Sequence, residues 1–175
     1  MENRPPQKKL PREMVAQNGS NPPLYHYGIP FMDQYMLEYA KRHHLTLELS
    51  PATREFFDGS PVLDFSKLTP EQEQDEELMN QLLSAAGLLA RCHMQERCGI
   101  TLHVARPFSL EWDGMVSLWS NYDYRDRYSR LVGSRERFNT IVAKLKEAMY
   151  EGGQENDIEW WYEWSNDVGI FTSLA

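Results

Sequence analysis

The stretch that decides the fold is Asp157-Ile158-Glu159-Trp160-Trp161-Tyr162-Glu163-Trp164, which carries three of the chain's five tryptophans. A strand sends successive side chains to opposite faces. Ile158, Trp160, Tyr162 and Trp164 therefore share one face, and Glu159, Trp161 and Glu163 the other. The first face has the make-up of a core edge. The second, one indole between two carboxylates, reads as either a partly solvated face or a place where a partner docks.

Outward from this strand, the segments alternate between two periodicities. Before it, Phe138, Ile141, Val142, Leu145, Ala148 and Met149 recur at helical spacing and predict a helix over Ser134–Tyr150, terminated by Gly152-Gly153. After it, Ser165-Asn166-Asp167 reads as a turn and Val168–Thr172 as a last strand. Asp113-Gly114 is a hairpin signal that predicts pairing of Phe108–Trp112 with Met115–Trp119. Ile100–Val104 alternates as another strand. Thr69, Pro70 and the acids that follow are a strong helix start. That helix should run to Arg97 and end at Gly99, with Gly87 marking close packing. Leu45–Leu49 and Val62–Phe65 read as short strands, and a first helix is expected from Pro30, favoured at helix N-termini, to His44.

Three helices with strands that include hairpins predict an α+β domain: a mostly antiparallel or mixed sheet with the helices packed on one face, spanning residues 24–175. Residues 1–23 differ in kind. Five prolines and few apolar groups predict a flexible arm. Arg4, Lys8, Lys9 and Arg12 against Glu2 and Glu13 give the arm a net charge of about +2, opposite in sign to the body.

With 175 residues, 41% of them hydrophobic, the chain can bury one proper core. A net charge of −8 disfavours phosphate-rich partners such as nucleic acid or an anionic membrane. No apolar run approaches the length of a membrane span, and the N-terminus carries no signal-like apolar stretch. Cys92 and Cys98, six apart on a predicted helix, point in different directions and are expected as free thiols. A cytoplasmic, or at least intracellular, setting is the expectation.

Candidate chemistry is sparse. Cys92, His93, Cys98 and His103 are the right residue types for zinc at no recognisable zinc spacing, so no metal is expected. His43-His44 closes the first helix, where a cation suits the helix end. His103 lies opposite Leu102 on its strand and is the best general-base candidate, with His93 second, although no partner orients either. Glu159 and Glu163 stand roughly 13 Å apart along a strand, too wide for a glycosidase pair. Phosphate-loop, dinucleotide, nucleophile-elbow and zinc-protease motifs do not occur.

The concentration of Trp, Tyr and Arg without a catalytic signature predicts a non-catalytic interaction domain. Its surface would comprise Trp161, Glu159, Glu163, Tyr122, Tyr124, Arg125 and Tyr128, meeting another protein or a second copy, with no cofactor. The alternative is a small enzyme or small-molecule-binding protein whose aromatic-lined pocket uses His103 or His93 beside an acid.

Overall fold

The computed structural model describes residues 5–17, 20–57 and 59–163. Their regular elements are β1 (Tyr25–Phe31), α1 (Asp33–Arg42), β2 (Thr46–Glu48), β3 (Val62–Asp64), α2 (Pro70–Gln74), α3 (Glu76–Cys98), β4 (His103–Ala105), β5 (Gly114–Ser120), α4 (Tyr124–Arg127), α5 (Arg135–Glu151) and β6 (Glu159–Tyr162). The architecture is α+β. One antiparallel sheet has the order β4-β5-β1-β6, and β2 and β3 form a second, two-stranded sheet. The main core lies between the larger sheet and α1, α3 and α5, around Ile29, Phe31, Met94, Leu118 and Leu145. A satellite core joins α1 and the first half of α3 to the small sheet through Leu37, Phe57, Phe65 and Leu82.

Local chemistry explains most boundaries. Ser134 caps α5 by accepting from the Arg137 N–H, and Gly99 closes α3 in the left-handed region at φ 68°. Thr69 caps the helix start expected at Pro70, and Gln72 completes a reciprocal capping box with it. The single long helix predicted from there is two helices. Asp75 leaves the helical region, with ψ 103°, and its carboxylate accepts from the Leu78 N–H. It thereby caps a second helix six residues after Thr69 has capped the first. Gly87 is not a close-packing site, since a Cβ there would meet nothing within 4 Å.

The first helix starts later than expected, because Pro30 belongs to β1. The Phe31 carbonyl accepts from Asp113 on the β5 side. By alternation the Pro30 nitrogen faces the other side, where the β6 ladder has already ended at Gly28–Glu159. A missing N–H therefore forfeits no ladder bond. Helix α1 begins at Asp33, whose N–H donates to the Asp113 carboxylate at 2.9 Å. The predicted hairpin is also displaced. β5 pairs with β4, in the register His103–Ser117, and not with Phe108–Trp112. Residues 106–113 form the connecting loop.

Gly28 is required by the sheet itself. A Cβ there would sit 2.2 Å from the Val116 carbonyl oxygen, at the irregularity where β1 and β5 shift register.

The N-terminal segment lies along the sheet. Gln7 and Trp160 exchange both backbone hydrogen bonds, at 2.9 and 2.8 Å, outside the edge of β6. Leu10 and Met14 pack on the main core. Asn121, 1% exposed, ties the segment's return: its amide donates to the carbonyls of Met14 and Pro23 and its oxygen accepts from the Tyr25 N–H. Residues expected as a loose arm are thus hydrogen-bonded to the domain. The predicted strand Val168–Thr172, the turn before it and Trp164 lie outside the described residues.

Candidate binding site

Antiparallel register places Tyr27 of β1 opposite Trp119 of β5 on one side and Trp160 of β6 on the other. Directly opposed residues share a face, so these three rings stand together on the helix side of the sheet. Helix α5 adds Phe138, α4 adds Tyr124, and a π-helical turn over Tyr128–Val132 adds Tyr128. That turn is closed by the Gly133 N–H bonding back to the Tyr128 carbonyl at 3.0 Å. Helices widened in this way recur at functional sites.

The six rings surround a groove of about 570 Å³, completed by Lys8, Lys9, Leu10 and Val15 from the N-terminal segment and by Arg135 and Asn139 from the start of α5. Tyr27 and Trp119 are nearly parallel, 8° apart with centroids at 5.7 Å. Phe138 continues that plate, tilted only 26° from Trp119. Tyr128 stands edge-on to Trp119 at 73° and Tyr124 edge-on to Trp160 at 81°. Offset-stacked and edge-to-face pairs are the favoured geometries for aromatic rings. Trp119 and Trp160 are buried, whereas Tyr27, Tyr124, Tyr128 and Phe138 keep part of their rings exposed.

Burial raises the pKa of the Tyr27 hydroxyl, with Asp157 and Glu159 adding to the rise, so the phenol is neutral. The Trp119 indole N–H is buried and meets no acceptor among the described residues. Lys8, Lys9 and Arg135 are exposed, and among the described residues none of them forms an ion pair. Asp157, which feels the Lys8 charge, is itself bonded to Lys146 at 2.5 Å.

A second polar cluster lies between α1, α3 and α5. Arg97 grips Glu151 through two bonds, at 2.6 and 3.1 Å, and also donates to the Tyr39 oxygen at 3.3 Å. The same hydroxyl is hydrogen-bonded to His93 Nδ1, 2.9 Å away. His43 meets Glu151 at 2.6 Å, and the two imidazole centroids are 4.7 Å apart. The Arg97 hydrogen bonds, ahead of the other causes, depress the Glu151 pKa. Burial, then the charges of His43 and Arg97, depress that of His93.

The sequence-derived candidates are scattered by this fold. Tyr124 and Tyr128 line the groove. Trp161 points to the opposite face of the sheet, where Ala105, Met115 and Trp112 cover it and leave it 8% exposed. The indole expected as an exposed anchor is therefore packed, because β4 and β5 supply apolar residues to both faces of the sheet. Glu159 shares the Trp161 face and is half-buried, and the Glu163 backbone bridges Pro107 and bonds to Leu24. Tyr122 is exposed, but its hydroxyl is occupied by Asn21 and the Pro22 carbonyl, while Arg125 is exposed beside it. The seven residues do not form one surface.

His103 is exposed at the sheet's first strand, with its pKa lowered by burial and then by Arg127. It sits opposite Ser117, which donates to the Trp119 carbonyl and contacts His26 Nδ1 at 3.3 Å. His93 and His103 are not brought together. Cys98 is buried in the core, its thiol pushed up to about 11 by that burial, whereas Cys92 contacts Arg91. The zinc-type residues do not converge, and among the described residues no group of three or more His, Cys, Asp or Glu side chains forms a metal cage.

Sequence reasoning named two of the six groove rings. The residues around Tyr27 carry no pattern that marks them in the sequence, and the alternation of β6 places Trp160 on a core edge. Only the alternation shared by three strands could have revealed the set.

In comparisons with family models, with curated proteins and with solved structures, the chain matches none of them. Fold and site therefore define it as an α+β domain with an aromatic groove on the helix side of its sheet.

Proposed function

We propose that the protein is a binding protein whose ligand is a small molecule held in the aromatic groove. The observation that carries this reading is the set of four partly exposed rings, Tyr27, Tyr124, Tyr128 and Phe138, standing around a space of about 570 Å³ above two buried indoles. Ligand sites span roughly 300–1,000 Å³ and are mostly apolar, with a few placed polar groups. The lining is rich in rings and contains neither histidine nor carboxylate, which suits retention of a ligand. A protein-docking surface built on Trp161 is the weaker reading, because that ring is covered.

The test is a titration with naphthalene-2-methanol, a flat neutral probe, followed through ¹³C-labelled tyrosine rings. Tyr27, Tyr124 and Tyr128 should shift together and saturate, while Tyr150, exposed on the outer side of α5, should not. Unmoved groove tyrosines, or shifts spread evenly over the protein, overturn the proposal.

A further inference from the structure

Deepening that reading, and resting on it, we infer that the ligand is a flat aromatic anion: a planar ring system bearing a carboxylate, sulfonate or phosphate. The ring is specified by the near-parallel stack of Tyr27, Trp119 and Phe138, with Tyr128 edge-on to Trp119 and Tyr124 edge-on to Trp160. A planar guest can extend that stack against the partly exposed rings of Tyr27 and Phe138 and meet the rings of Tyr124 and Tyr128 in the offset or edge-to-face geometries that aromatic pairs favour.

The anion is specified by a local inversion of charge. Acidic residues outnumber basic ones across the chain, 26 to 18. The twelve residues lining the groove nevertheless include Lys8, Lys9 and Arg135 and no carboxylate. Some cations elsewhere are matched, among them Arg97 with Glu151, Lys41 with Glu38 and Glu73, and Lys146 with Asp157, while others such as Arg42, Arg54 and Arg137 stand in no ion pair of the described residues; what sets the groove apart is that its lining gathers three cations and no carboxylate. The groove cations are exposed, come from two distant parts of the chain, and lie outside every ion pair of the described residues. Two further features of the same groove suit a polar guest. It borders the first turn of the 17-residue helix α5, whose N-terminal end adds positive potential, and its lining includes the amide of Asn139.

Two probes with one ring system separate this inference from the one beneath it. Calorimetry on the full chain compares naphthalene-2-sulfonate with naphthalene-2-methanol at about 50 mM salt. The sulfonate should bind about tenfold more tightly, and its advantage should shrink in 0.5 M salt, where screening is shorter than the reach of the groove. Replacing the three cations together, K8Q/K9Q/R135Q, should erase the difference between the probes. Lys67→Gln, which removes an exposed cation beside Asp64 on the small sheet, should preserve it. Equal affinity of the two probes for the unmodified protein overturns the anion inference and leaves the groove standing. Failure of both probes to bind overturns the groove as well. A difference that survives K8Q/K9Q/R135Q assigns the charge recognition to other residues and overturns the inference as drawn.

Discussion

The aromatic groove and the cluster between α1, α3 and α5 use similar residue types to opposite ends. In the cluster each charge is matched: Arg97 is spent on Glu151 and Tyr39, and Glu151 on Arg97 and His43. In the groove three cations surround four partly exposed rings and none has a carboxylate partner among the described residues. A polar network that is internally satisfied holds elements in place and has little left to offer a visitor. Unmatched charge beside open apolar surface is the reverse. The teaching of the pair is that the unmatched groups, more than the number of polar groups, mark the site.

That contrast can be broken in several ways, the first of which has the largest effect. Trp161→Ala should cost about 3–5 kcal/mol in urea unfolding, the usual range for a truncated core aromatic. It should leave the groove's affinity for naphthalene-2-sulfonate unchanged. Loss of affinity at constant stability would move the site to the other side of the sheet. Arg97→Ala should cost about 2 kcal/mol, less than a fully buried pair because both partners keep about a quarter of their side chains in water. Groove affinity should again be untouched. An affinity that fell in step with stability would make cluster and groove one cooperative unit.

Acid should separate the two regions further. His26, His93 and His103 all have folded-state pKa values held below the ordinary imidazole value, in each case first of all by burial. Below about pH 6.5 the unfolded chain takes up protons that the folded chain resists. Stability is therefore complete above neutrality and declines as pH falls through 6.5, whereas the depressed carboxylate of Glu151 acts only at lower pH. The urea midpoint should drop between pH 7.5 and 5.5. Sulfonate affinity, which depends on no imidazole, should stay level. The smallest stability effect belongs to K8Q/K9Q/R135Q: three exposed, unpaired side chains whose replacement should shift unfolding by no more than about 0.5 kcal/mol, while the preference for the anionic probe disappears.

The sequence revealed this fold wherever the information was local. Ser134, Thr69 and Gly99 are caps that act within one turn of themselves, and the ends of α5, the start of α2 and the end of α3 fall where they indicate. The alternation of β6 was also legible, and Trp160 and Tyr162 do face the core. Pro30 was misread because its fitness for a strand depends on where another strand, more than a hundred residues away, stops pairing. Trp161 was misread for a related reason. Alternation separates two faces but does not say that Met115 and Ala105 wait on the second. The groove was visible in a third of its rings, the tyrosines at 124 and 128. Its floor comes from positions 27, 119, 138 and 160, which no local pattern links.

The two hydrogen bonds joining Gln7 to Trp160 have a consequence for handling this protein. A chain shortened to start at Tyr25, as proline-rich leading residues often invite, would discard Lys8, Lys9 and Leu10 along with the backbone that occupies the margin of β6. The uncovered N–H and C=O of Trp160 would then be open to any other strand, the ordinary route to edge-to-edge aggregation. Trimming for better behaviour would yield a stickier protein with its pocket unwalled, and a null binding result from it would say nothing about the intact chain.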